Sequence, residues 1–161
     1  MALVDSSVLI HLSRINKLSL LKAYFGKIII TQDIYDEIKT GIGASEIEKA
    51  CKSWIAIENP KNSEEIDNTS KLEDIKKADS SLIVLAEEKK EILLSNDYTL
   101  IIIARSRGIE CWWPTTFILR CLDKKIITKK EAKQILLDLI DSGMRLSNEV
   151  YSAILREIEN L

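Results

Sequence analysis

The sequence predicts an α/β protein in three layers, with a parallel sheet of four to five strands between helices and a helical hairpin at the C-terminal end. Three observations carry this expectation. Up to Trp112, short apolar runs alternate with longer stretches of helical period, the pattern of strands joined by crossover helices. Beyond Lys124 the alternation stops, and only two amphipathic helical stretches follow. With 161 residues, the chain has room for one domain and a short appendage, and it can bury a real core. The expected division is a core over residues 1–123 and a helical extension over 124–161.

Taken in order, Ala2–Val4 reads as a short first strand, and Ser6 to about Arg14 as a helix with Val8, Leu9 and Leu12 on one face. Leu18, Leu20, Leu21 and Tyr24 continue as a second short helix that Gly26 ends. Lys27–Ile30 is a β-branched strand, and Thr31 can cap a helix running through Ile34 and Ile38. Gly41 and Gly43 interrupt the chain before a helix over Ser45–Lys52. Trp54–Ile57 reads as an edge strand closed by Pro60. Lys61–Lys77 is the most charged and least apolar stretch, a loop or a solvated helix. A helix follows from Ala78 to about Lys90, then a strand at Ile92–Leu94. The next helix passes through Leu100, Ile101 and Ala104 to Gly108, and Ile109–Trp112 is the last strand. In the extension, Ala132, Ile135, Leu136, Leu139 and Ile140 share one face up to Gly143. Ser147 caps the second helix, whose apolar face is Val150, Ile154, Leu155 and Ile158.

A formal charge of −2 argues against a general nucleic-acid coat protein, so a polyanion would have to be held by a local patch or by bound metal. No apolar run is long enough for a membrane span, and Asp5 stops the opening Met1–Val4 run, so neither a membrane partner nor a signal peptide is expected. Cys51, Cys111 and Cys121 fit no C-x-x-C spacing and suit small reduced thiols in a cytoplasmic protein.

Three acids occupy equivalent places. Asp5 directly follows the first strand, Asp97 follows the Ile92–Leu94 strand after Ser95 and Asn96, and Asp79 opens the long central helix. In open parallel sheets, ligands bind beyond the carboxyl ends of the strands, where the topology changes direction. Acids far apart in sequence can therefore meet in one crevice, with Glu37 reaching the same mouth. Each aspartate is also a good helix N-cap, and Glu37 or its neighbour Asp36 suits a solvated helix face. Clustered carboxylates repel one another unless a cation is present. Oxygen ligands without His or Cys suit Mg²⁺ or Mn²⁺ rather than Zn²⁺. Such a site can bind a phosphodiester and activate a water.

These residues resemble the PIN domains, found in VapC-type ribonuclease toxins and RNA-processing nucleases, and in particular a prokaryotic branch with two extra C-terminal helices. Val4-Asp5-Ser6-Ser7-Val8-Leu9-Ile10 is similar to the family's first motif, and Ile28–Ile38 to the second, with Glu37 in the place of its glutamate. Ala78-Asp79-Ser80-Ser81-Leu82-Ile83-Val84-Leu85-Ala86 resembles the third, and Leu94-Ser95-Asn96-Asp97 the fourth. Gly143–Tyr151 looks like the branch's second added helix. The resemblance spans essentially the whole chain. It implies a metal-dependent endoribonuclease acting on single-stranded RNA and leaving a 5′-phosphate, with an antitoxin as partner if the protein is a toxin. Asp5, Asp79 and Asp97 would be metal ligands and, with Glu37, the catalytic set; Ser6, Ser95 and Asn96 would support them. A non-catalytic nucleic-acid-binding or assembly module of the same fold is the alternative. One departure is Trp113-Pro114, where relatives of the branch often carry Gly-Thr, at the substrate-side rim.

Among the remaining residues, Arg14, Arg105 and Arg107, with Lys71, Lys76 and Lys77, are candidates to meet phosphates, although charged helix faces are usually just solvated. His11 lies six residues after Asp5, nearly two helical turns away, and suits packing better than catalysis. Trp54, Trp112 and Trp113 can stack on bases or pack in a core. The apolar faces of the extension can cover the core or bury a partner, and a homodimer contact is the expected use. A haloacid phosphatase would need a second Asp at position 7, which is Ser7.

Overall fold

The structure, a computed structural model, describes all residues from Met1 to Leu161. In chain order the elements are β1 (Ala2–Val4), α1 (Ser6–Arg14), α2 (Ser19–Phe25), β2 (Ile28–Ile30), α3 (Gln32–Ile38), α4 (Ala44–Cys51) and β3 (Ile55–Ile57). They continue with α5 (Ser63–Glu73), α6 (Lys77–Lys89), β4 (Ile92–Leu94), α7 (Tyr98–Ser106), β5 (Cys111–Trp112), α8 (Pro114–Asp123), α9 (Lys129–Asp141) and α10 (Asn148–Asn160).

The five strands form one parallel sheet in the order β3-β2-β1-β4-β5. Every residue of β1 and β2 is buried. Because successive side chains point to opposite faces, full burial of both parities means that helices cover both faces of the sheet. This is why the strands read as continuous apolar runs rather than as alternation. The chain builds outward from β1 through β2 to β3, then returns to place β4 on the other side of β1. The reversal falls between β1 and β4, and Asp5 N–H donates to Leu94 O (2.9 Å) at that seam.

The extension shares the core of the sheet. Ala132, Ile135, Leu139, Met144 and Ile158 belong to the same contiguous cluster as the strands and α8. Here α9 packs on α8, and α10 packs on both. No helix is long and apolar enough to cross a membrane.

Several elements differ from the sequence expectation. Pro114–Asp123 is a helix that is not among the elements expected from the sequence. Pro114 sits in its first turn, where the missing N–H costs nothing, and Phe117, Ile118, Cys121 and Leu122 face the core. The charged Lys61–Lys77 stretch contains α5, begun by an Asn62 side chain that accepts from Glu65 N–H (3.2 Å). It is solvated along most of its length, and only Ile66 and Thr69 are buried. The last strand is shorter than Ile109–Trp112, because Ile109 N–H bonds back to Ala104 O to close α7.

Candidate active site

Asp5 lies where β1 ends and α1 begins, at the reversal point of the sheet, and its carboxylate is held by a relay of hydroxyls. Its Oδ1 accepts from Ser6 N–H (2.8 Å), and its Oδ2 accepts from Ser7 Oγ–H and Ser95 Oγ–H (2.9 Å each). Each serine in turn accepts from the turn after β4: Ser7 Oγ from Asn96 N–H (3.1 Å) and Ser95 Oγ from Asp97 N–H (3.0 Å). A hydroxyl that accepts from an amide has its proton free for the carboxylate, so the relay aims both hydroxyl donors at Asp5 Oδ2. Burial raises the Asp5 pKa above the ordinary value; the Ser7, Ser95 and Ser6 hydrogen bonds oppose this, and the charge of Asp97 adds to it.

Asp97 caps α7, accepting at Oδ1 from Leu100 N–H (3.1 Å). Asp5 caps α1 as well. Capping and membership of an acid cluster are therefore compatible for these two residues. Asp79 is not a cap: it stands in the first turn of α6, and the capping position belongs to Lys76. Next to it, Ser80 Oγ–H donates to Ile66 O (2.5 Å), which ties the start of α6 to α5. Glu37 projects from α3, which packs against both α1 and α6.

Asp5, Glu37, Asp79 and Asp97 line one open pocket together with Ser6, Ser7, Asn96 and Lys76, and no hydrophobic residue contributes to it. Four carboxylates from four parts of the chain thus share one hollow. Burial, and after it the charges of Asp5, Asp97 and Glu37, push the Asp79 carboxyl up to about 6, while Lys76 pulls the other way. The carboxylates share the pocket without being drawn into a ready-made cage of three His, Cys, Asp or Glu side chains. Like charges keep apart, and the oxygens of Asp5 are already engaged by three donors.

The other candidates lie elsewhere. Asp36 faces solvent, bonded to Gln32 and Lys39 (3.0 and 3.1 Å), so Glu37 is the acid of α3 that reaches the pocket. Arg14 donates to Ser142 O (3.2 Å), and Arg105 to Cys111 O (3.2 Å). Arg107 pairs with Glu73 and Glu87 (3.3 and 2.9 Å) and lines a separate hollow beside Glu91 and Ile92, at the start of β4. None of these arginines lines the acid pocket. Their guanidinium groups bond to backbone carbonyls or carboxylates of neighbouring elements, and the cation in the pocket is Lys76. His11 shares a hydrogen bond with Ser142 Oγ (3.1 Å), between α1 and the end of α9.

Ser7 is the pocket residue to which the sequence assigns no role; the signal for it is its place in the first turn of α1, two residues after Asp5, from which it folds back on that carboxylate. Of the six cations expected as candidates to meet phosphates, Lys76 alone lines the pocket, just ahead of α6.

No significant match to a curated protein is found. A family model for the PIN domain, however, matches residues 1–160, essentially the whole chain. With the parallel sheet and the acids gathered at its reversal point, that match shows that the chain belongs to the PIN-domain family.

Proposed function

We propose that the acid pocket is the active centre of a metal-dependent endoribonuclease that hydrolyses phosphodiester bonds of single-stranded RNA. PIN domains are generally nucleases and typically use divalent metals. The observation that carries the reading is the convergence of Asp5, Glu37, Asp79 and Asp97 in a pocket lined by no hydrophobic residue. The donor set fits Mg²⁺ or Mn²⁺, since it offers carboxylate, hydroxyl and carboxamide oxygens and neither His nor Cys. Asp5, Asp79 and Asp97 would hold the ion. When bound, the ion would supply Lewis acidity, acidifying a water and offsetting charge on the leaving oxygen.

The chain's own residues have separable tasks. Ser7 and Ser95 hold Oδ2 of Asp5, while Ser6 N–H holds Oδ1, and the two hydroxyls couple that orientation to the Asn96–Asp97 turn. Lys76, at the pocket wall, offers a point charge to a phosphate oxygen that would otherwise meet only carboxylates. Glu37, exposed on α3 without a hydrogen-bond partner, is free to take the proton of the attacking water at its carboxylate.

The test compares cleavage and melting of the parent protein and Asp5→Asn. The parent should cut single-stranded RNA with Mn²⁺, stop with a chelator and need no Zn²⁺. Asp5→Asn should lose cleavage while remaining folded, because it loses charge but not size. Cleavage by Asp5→Asn at the parent rate would reduce Asp5 to a helix cap and remove the basis of this reading. The second reading, a non-catalytic module, draws on the lack of a ready-made cage. It takes the lead if the parent binds RNA but never cuts it with Mn²⁺. A toxin role, with an antitoxin as partner, is a proposal that a short overlapping antitoxin-like reading frame beside the gene would support.

A further inference from the structure

Beside the acid pocket lies a second hollow of about 480 Å³, walled by the start of α8 and the start of α10, and the two share Asn96. Its lining is of a different kind. The Trp113 indole, Pro114, Val150 and Ile154 supply apolar surface, and Arg145 stands at the wall. Several polar groups there have no partner in the chain. Thr115, only 7% exposed, lines the hollow with a hydroxyl that makes no hydrogen bond, and the Asn96 carboxamide and the Arg145 guanidinium are equally free. These groups line the hollow and are open to it, so a ligand can engage them without breaking a bond within the chain. The hollow therefore suits a ligand with flat apolar faces, polar edges and an attached negative charge.

We propose that this hollow is a nucleobase subsite: it takes an unpaired nucleotide flanking the scissile phosphate of a single-stranded RNA. The base lies against the Trp113 indole, its edge meets Thr115 and Asn96, and a neighbouring phosphate meets Arg145. The proposal rests on the reading of the acid pocket as an RNA-cleaving centre, because the shared Asn96 makes one strand continuous across both. A base stacked inside a duplex cannot enter, so the subsite selects unpaired strands.

The experiment measures binding of a short labelled single-stranded RNA by fluorescence anisotropy in Mn²⁺, on an Asp5→Asn background, with strand integrity checked on a gel. Adding Trp113→Ala should weaken binding on the order of tenfold, while Trp113→Phe should keep most of it. Arg145→Gln should lower the salt dependence of log affinity by about one phosphate contact. Trp113 packs partly against the core, so a fourth variant guards against misfolding. Val150 is 42% exposed, and Val150→Trp fills the hollow without removing a buried contact. It should melt like its background and bind more weakly. A duplex of the same sequence should not distinguish Trp113→Ala from its background. Equal single-strand affinity with and without Val150→Trp overturns the proposal. So does loss of self-association in light scattering with RNA affinity unchanged, which would make the hollow a protein interface. If the strand is cut on the Asp5→Asn background, the catalytic reading itself fails, and the gel separates that outcome from a failure of the subsite alone.

Discussion

At the scale of single residues, the balance of charge in the pocket sets a pH dependence. Asp79 is carried up to about 6 by burial and by the neighbouring carboxylates. In the unfolded chain it titrates near its ordinary value of 3.8. Between those values the folded protein keeps a proton that the unfolded chain has released. Folding stability without metal should therefore fall as the pH rises through this window, with the whole cost present above about 6. Asp5, raised in the same direction, adds to the trend. Melting temperatures recorded in chelator from about pH 4 to 7 should decline more steeply for the parent than for Asp79→Asn. At neutral pH, Mn²⁺ should raise the parent's melting temperature more than the variant's, because a cation relieves the repulsion that the asparagine lacks. Parallel curves for the two proteins would mean that the cluster carries no such strain.

At the scale of elements, the start of α4 lies unusually close to α1. Gly43 has φ 81°, and a Cβ on it would come within 2.6 Å of Ser13 Cβ and 2.9 Å of Ser13 Oγ. Gly43→Ala meets two penalties, the left-handed backbone, at about 1 kcal/mol or more, and the clash with α1. A loss of about 2 kcal/mol would lower the melting temperature by roughly 4–8 °C for a chain of this size. The hydroxyl beneath it is the buried Ser13 Oγ, which has no hydrogen-bond partner. Ser13→Ala should thus be neutral or stabilising, since it removes an unsatisfied group and leaves the Cβ in place. If Gly43→Ala melts with the parent, the close approach is not a constraint.

At the scale of the whole molecule, the extension is bound into the fold through its apolar faces. Ala132, Ile135, Leu139 and Ile158 are almost fully buried, and α8, which they help to cover, also carries the Pro114–Thr116 wall of the second hollow. Ending the chain at Asp123 would bare the core-facing side of α8. That truncated protein should melt well below the full chain or precipitate, as expected for an exposed contiguous apolar patch. Soluble truncated protein with the full-length melting temperature would overturn this. Homodimerisation through the same helices is a separate proposal. The surface left for it is small, chiefly Leu137, Val150 and Leu161, and light scattering of the full chain decides it.

What the sequence determined by itself was local. The β-branched runs at Ile28–Ile30 and Ile92–Leu94, the caps at Thr31, Asp97 and Ser147, and the amphipathic faces of α9 and α10 are signals within a few residues of one another. They specify each element by its own period and end groups. Helix α8 is not legible in the same way, because its N-cap position is Trp113, which makes no side-chain capping hydrogen bond, so no polar cap marks its start. The acids at strand ends were legible as candidates, because a strand end marks a binding crevice in any parallel sheet. Which polar groups meet there was decided only by the strand order β3-β2-β1-β4-β5, which sets β4 beside β1 and so brings Ser95, Asn96 and Asp97 onto Asp5 and Ser7. The same packing puts Lys76 in the pocket and commits Arg107 to Glu73 and Glu87 at the start of β4. Strand order joins residues 90 positions apart, as Asp5 and Ser95, and helix contacts join residues 131 apart, as His11 and Ser142; no local period encodes such pairings, which arise from burying both faces of the sheet at once.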